Sequence, residues 1–156
     1  MMTYEDDRFL IESCSSCPLP GYLILQVKDG CKSIGDLDAE TASRLGFMLS
    51  MATKAIQDAI KPERVYCLTF GEGSPEVHFH LFPRTRWLLE AYQKATHTEK
   101  DAIDGPRLFH WARTHLGSGM ETLMPDMNAT IFVNQAQIII GSLNALLEMG
   151  SATGRE

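Results

Sequence analysis

Glu76-Val77-His78-Phe79-His80-Leu81-Phe82-Pro83-Arg84 is the stretch on which the reading of this chain turns. Apolar and polar residues alternate from Glu76 to Leu81, the period of a half-buried strand. The alternation predicts Val77, Phe79 and Leu81 against a core, with Glu76, His78 and His80 together on the opposite face. Same-side neighbours on a strand stand about 7 Å apart, close enough to act on one small ligand. Pro83 has no N–H to give a sheet ladder, so the strand is expected to end there with Arg84 just beyond it. Three ionisable groups on one face of an otherwise apolar strand mark a candidate site.

Working outward, Gly71-Glu72-Gly73-Ser74-Pro75 reads as a turn, and Arg64 to Phe70 as a preceding strand that pairs antiparallel with the motif strand. Before it, Asp38 suits a helix N-cap and Glu40 the first turn, where negative charge is favoured. Leu45, Met48, Leu49, Ala52, Ile56 and Ala59 fall on one helical stripe, which Pro62 stops. Tyr22 to Val27 is an apolar run of strand length, and Arg8 to Glu12 a short first element. Beyond Arg84, Trp87 to Tyr92 reads as helical or irregular and Lys94 to Asp101 as a polar linker. Gly105-Pro106 opens a short helix to about Leu116, with proline at the first position. A loop from Gly117 to Met127 leads to Asn128, a cap for a last helix presenting Ile131, Gln135, Ile138, Ile139, Ser142, Leu146 and Leu147. The β-branched Ile138-Ile139-Ile140 pulls that segment toward strand. Short strands with segregated helices give an α+β fold whose sheet is mostly antiparallel.

A chain of 156 residues, 44% hydrophobic and 22% charged, fits a single domain, residues 1–156, with an ordinary core. No apolar run reaches the ~18 residues of a membrane span, and Met1 to Arg8 lacks a signal pattern, so a cytoplasmic protein with no membrane partner is expected. A net charge of −6 argues against a nucleic-acid partner, a local basic patch at Arg84 and Arg86 aside. Four cysteines in such a setting read as thiols or metal ligands rather than disulfides.

The motif resembles that of the histidine-triad (HIT) proteins: His-x-His-x-His with apolar x, then two apolar residues and often Pro-Arg. His78 and His80 match the second and third histidines, Val77, Phe79, Leu81 and Phe82 the apolar positions, and Pro83-Arg84 the ending. Cys14-Ser15-Ser16-Cys17, Gly21-Tyr22-Leu23-Ile24-Leu25, Lys28, Ser33-Ile34-Gly35-Asp36-Leu37, the long helix, Pro62 to Tyr66 and Gly71-Glu72 follow in the family's order. The resemblance covers a core over residues 9–90 and leaves 91–156 as a C-terminal extension packing on it. Two positions depart from the pattern. Glu76 stands where the first histidine belongs, and Val27-Lys28-Asp29-Gly30 lacks the histidine of the family's Pro-Lys-x-His. Zinc-carrying relatives close the CxxC pair with these two histidines, so Cys14 and Cys17 are expected to hold no metal; Cys31 and Glu76 are the remote substitutes.

The resemblance implies a HIT-like hydrolase or transferase acting at the α-phosphate of a nucleotide or dinucleoside polyphosphate, with no cofactor, in a homodimer. His78 would be the nucleophile, its second nitrogen donating to the backbone carbonyl of residue 76; that carbonyl survives any side-chain change. His80 would donate to a phosphate oxygen, and Arg84 and Lys28 are the candidate phosphate-binding cations. Glu76 is the discordant member: a carboxylate ~4 Å from a phosphate oxygen is repelled by about 4 kcal/mol at an effective dielectric of 20. It is expected to be protonated and acting as an acid, turned away, or bridged by a cation. The alternatives are a degenerate nucleotide-binding or scaffold protein of this fold, or a metal site of Glu76, His78 and His80. Cys67 reads as a small buried residue, His97 as solvated, and His110 and His115 as surface or partly packed.

Overall fold

The computed structural model describes residues 3–99, 103–116 and 129–152, with side chains of the last helix described from 137 to 149. Five strands, β1 (Thr3–Glu5), β2 (Phe9–Ser13), β3 (Leu23–Val27), β4 (Arg64–Leu68) and β5 (His78–Arg84), form one sheet in the order β1-β2-β3-β5-β4. Every pairing is antiparallel, including β3 with β5, between which α1 and β4 intervene in sequence. Between β3 and β4 runs α1 (Ala39–Ile60); α2 (Arg86–Thr96), α3 (Gly105–His115) and α4 (Ala129–Ala152) follow β5. The fold is α+β, as expected.

The apolar stripe of α1 accounts for the first core. Leu45, Met48, Ala52 and Ile56 pack on Phe9, Ile11, Leu23, Leu25, Val27, Val77, Phe79 and Leu81, and α4 adds Ile139 and Leu143. The triplet Val77, Phe79 and Leu81 is 4%, 7% and 0% exposed, which fixes the register of β5 and sends His78 and His80 to the other face. Asp38 caps α1 by accepting from the Thr41 N–H, and Lys61 ends it in the left-handed conformation before Pro62. Gly21, at φ +77°, cannot be replaced without strain: a Cβ there would lie 2.8 Å from Ile60 Cγ1. This close approach draws the β2–β3 turn against the end of α1.

The opposite face carries a second core. Tyr22, Phe82, Leu88, Tyr92, Leu108, Phe109, Trp111, Ala112 and Leu116 pack together with Cys14, Cys17 and Leu19. Here α3 begins with Gly105 close to Tyr66 on β4 and ends with Arg113 beside Tyr22, so it crosses the sheet at the level of Phe82. Asp104 caps it by accepting from the Arg107 N–H, with Pro106 in the first turn.

Several expectations are corrected. β5 runs through Pro83 to Arg84 rather than stopping at the proline. The Arg84 carbonyl accepts from Glu63 across the β4 side, so by alternation the proline nitrogen faces the β3 side, beyond the last rung at Leu23–Leu81. No ladder bond is lost there. The strand also starts at His78, not Glu76, and β1 was not foreseen. The helix after β5 extends to Thr96, into the expected linker, stopped by a left-handed His97. Residues 138–140 are helical despite their β-branching; Ile138 is exposed, whereas Ile139, Ile140 and Leu143 are buried. Cys67 is exposed on the edge strand β4, not buried. The expected loop 117–127, the Asn128 cap, Ile131 and Gln135 lie outside the described residues or side chains.

Candidate active site

His78 and His80 occupy neighbouring same-face positions of β5, their rings 5.3 Å apart and close to perpendicular. In register, Gln26 lies opposite His78 and Ile24 opposite His80. Both histidines border a cavity of about 250 Å³, with Glu12, Cys14, Ser15, Ser16 and Arg113 on one side and Glu72, Gly73 and Ser74 on the other. The loop after β4 supplies Glu72, Gly73 and Ser74 to its wall.

Each histidine is held through Nδ1. His78 Nδ1 lies 3.0 Å from the Glu76 carbonyl, an acceptor that any residue at position 76 supplies. A carbonyl only accepts, so Nδ1 carries a proton, and in the neutral ring Nε2 is the nitrogen with the lone pair. His80 Nδ1 lies 2.8 Å from the Tyr22 hydroxyl, to which Arg113 Nη1 donates at 2.6 Å. Burial, reinforced by the charges of Arg113 and His78, pulls the His80 pKa down to about 4. Burial likewise pushes the Tyr22 hydroxyl upward.

Glu76 is not part of this lining. Its carboxylate accepts from the amide of Gln26, the cross-strand neighbour of His78. The first of the expected cations is also elsewhere: Arg84 stands six residues along β5 from His78, about 20 Å at strand rise. It is buried and paired with Glu63 at 3.2 Å, with its Nε unsatisfied. Lys28 is bound to Glu5 at 2.6 Å and to the Asp6 carbonyl at 2.7 Å, on the β1 side. Among the described residues the cation beside the histidines is Arg113. Its Nη2 lies 3.4 Å from Ser16 Oγ and its guanidinium covers the Phe109 ring at 5.7 Å.

Sequence reasoning missed Arg113 and the roles of Tyr22, Glu12 and Glu72. Arg113 comes from a helix outside the resembling stretch; its signal was a lone arginine beside the buried face formed by Phe109, Ala112 and Leu116. Tyr22 read simply as an apolar strand residue. His97, His110 and His115 are exposed and away from the site.

Cys14 and Cys17 are both buried thiols near Arg113, and burial pushes Cys17 up to about 11. Cys31 belongs to the other end of β3: Cys14 N bonds the Tyr22 carbonyl, whereas the Cys31 carbonyl accepts from Val77 beyond Val27. Glu76, His78 and His80 do not converge either. Among the described residues no group of three or more His, Cys, Asp or Glu side chains is arranged to hold a metal ion.

No family model matches the sequence, and no curated protein matches it. Solved structures do. A crystal structure of a hypothetical histidine triad nucleotide-binding protein from Sulfolobus tokodaii superposes over 94% of this chain and 87% of its own, with TM-score 0.60 at 15% identity. The chain has the histidine-triad fold. A Hit-like protein from Bartonella henselae superposes more loosely, at 18% identity over 74% of this chain and 82% of that one, TM-score 0.48. At such identities the likeness speaks for the fold, and the chemistry within this histidine-triad fold must be argued from the side chains. Among the described residues no helix is long and apolar enough to cross a membrane.

Proposed function

We propose that this chain is a HIT-type nucleotide hydrolase or nucleotidyl transferase working through His78. The observation that carries the reading is the Nδ1 contact of His78 with the Glu76 carbonyl at 3.0 Å. It leaves an unprotonated Nε2 as the nucleophile, the arrangement that imidazole catalysis needs. Nε2 attacks the α-phosphorus and the bond to the leaving group breaks; water then cleaves the phosphorus–nitrogen bond and releases the nucleotide. His80 donates through Nε2–H to a phosphate oxygen, and Arg113 supplies the nearby positive charge that the sequence had assigned to Arg84 and Lys28. Glu76 contributes its backbone carbonyl, its carboxylate being held by Gln26.

A second reading, nucleotide binding without turnover, is favoured by Glu12 and Glu72 in the cavity lining, which oppose an incoming anion. A panel of adenosine phosphoramidate and dinucleoside polyphosphates, assayed with wild type and His78→Ala, separates the two. Turnover that His78→Ala abolishes supports the enzyme; binding without turnover supports the second reading; hydrolysis unaffected by His78→Ala overturns both readings. The resemblance also supports a homodimer, which light scattering of the purified chain tests.

A further inference from the structure

We propose that Tyr22 and Arg113 are positioning residues that lock His80 as a neutral imidazole donating through Nε2, which makes α3 a working part of the site. The argument starts from what each group is able to donate. A guanidinium has donors only, so at 2.6 Å Arg113 Nη1 gives its hydrogen to the Tyr22 oxygen. That oxygen, polarised by a charged donor, becomes a better donor itself and passes its own proton toward His80 Nδ1 at 2.8 Å. The Cys14 sulfur is the other acceptor beside that hydroxyl; an imidazole nitrogen accepts more strongly than a thiol, so Nδ1 takes the hydrogen bond and the ring proton sits on Nε2. His78 next to it has the reverse arrangement, with Nδ1–H on the Glu76 carbonyl and a bare Nε2. One strand face thus offers an attacking lone pair and a hydrogen-bond donor side by side.

The relay is built into the packing. Tyr22 is 1% exposed, edge-on to Phe82 at 5.2 Å and to Phe109 at 6.2 Å. Phe109 in turn stands edge-on to His80 at 5.6 Å and lies under the Arg113 guanidinium. Rotating either ring away would break these contacts together. The titratable and charged groups around His80 are His78 on its own strand, Tyr22 before β3, Arg113 on α3, and Cys14, Glu12 and Glu72 on the cavity wall. The two carboxylates favour a charged imidazole; burial and Arg113 oppose it and prevail, in keeping with the low pKa of His80.

What the relay does for turnover rests on the nucleotidyl-transfer reading; the tautomer does not. The test accordingly starts with the resting protein. Nitrogen-15 NMR of the imidazoles, with His80 assigned by its loss in His80→Gln, should show an Nε2–H tautomer that does not titrate between about pH 5 and 8. Tyr22→Phe, nearly isosteric, should mix the tautomers and move the titration up toward the ordinary range. Arg113→Met should move it the same way and Arg113→Lys less so. In turnover, Tyr22→Phe should lower kcat roughly tenfold, the rate equivalent of one hydrogen bond, with KM unchanged and the acid limb of the pH profile shifted upward. An Nδ1–H tautomer in the wild type, or a tautomer unmoved by Tyr22→Phe, overturns the proposal. A correct tautomer in a protein that turns over no nucleotide would leave the relay standing and defeat the enzymatic reading alone.

Discussion

The two ends of β5 stand on one face of one sheet and have opposite surroundings. At one end Phe82 is stacked on Tyr66 and edged by Tyr22 and Phe109, and Arg84 is buried against Glu63. At the other, His78 and His80 look onto a cavity. The strand itself makes no such distinction; the cover does. α3 crosses at Phe82, sets Phe109 edge-on to His80 and brings Arg113 beside the cavity. A polar residue on a strand face is therefore a site or a structural pair according to what lies above it.

The largest test of this contrast is at the open end. His78→Ala should lower nucleotide turnover by more than about 10³-fold, since no neighbour replaces a covalent nucleophile, while far-UV circular dichroism stays native. His80→Ala removes one donor to the developing charge and should cost on the order of 100-fold in kcat. Equal losses at the two positions would mean that His80, not His78 alone, handles the covalent step.

The closed end should answer in stability instead. Glu63→Ala leaves the Arg84 guanidinium buried without its counter-charge and should cost roughly 2 kcal/mol in urea unfolding. Arg84→Met should cost less, within about 1 kcal/mol, because the Glu63 left behind is partly exposed and water takes it over. Turnover should hold within about threefold in both. A large kinetic loss in Arg84→Met would return Arg84 to the phosphate-binding role that its sequence position suggested.

pH separates the ends as well. In the unfolded chain an imidazole takes a proton as pH falls through about 6.5; His80 in the fold resists until about 4. Between those values the unfolded state binds more protons, so stability present above about 6.5 is lost as pH falls. Solvent reaches half-buried His80, so the effect should be modest, on the order of a few degrees in Tm between neutral pH and pH 4.5. His80→Gln should show a smaller fall over the same range.

How much of this was legible in the sequence follows the same division. The face under α1 was readable because strand alternation at Val77, Phe79 and Leu81 and the helical stripe from Leu45 to Ile56 are local patterns with fixed periods. The capping of α1 by Asp38 and the pairing of β4 with β5 were equally local. The histidine face was half legible. Its two histidines share a period and His78 finds its partner two residues away in the Glu76 carbonyl, but His80 is held by Tyr22, 58 residues before it, and through Tyr22 by Arg113, 91 residues further on. No periodicity links such positions, and only packing brings them together. Arg84 misled for the converse reason: same-face placement gave it the direction of the histidines while saying nothing of the distance along the strand.

The smallest expected effect concerns the residue that looked most consequential. By the sequence resemblance Glu76 would stand where the family pattern has its first histidine, and as a charge near phosphate it would oppose binding by several kcal/mol at low screening. In the fold its carboxylate is taken by Gln26, directly across from His78, and is absent from the cavity lining. What reaches His78 is the carbonyl, which Glu76→Gln preserves. Glu76→Gln should therefore leave kcat and KM each within about threefold, the scale of a substitution that touches neither nucleophile nor donor. Glu76→His, which restores the triad and also keeps the carbonyl, should behave alike. A rise of tenfold or more in kcat/KM with either variant would show that the carboxylate swings into the cavity when substrate arrives; a comparable fall would make it an acid or a cation ligand in turnover. Kinetics of the two variants beside His78→Ala thus read out whether position 76 acts through its side chain or only through its backbone.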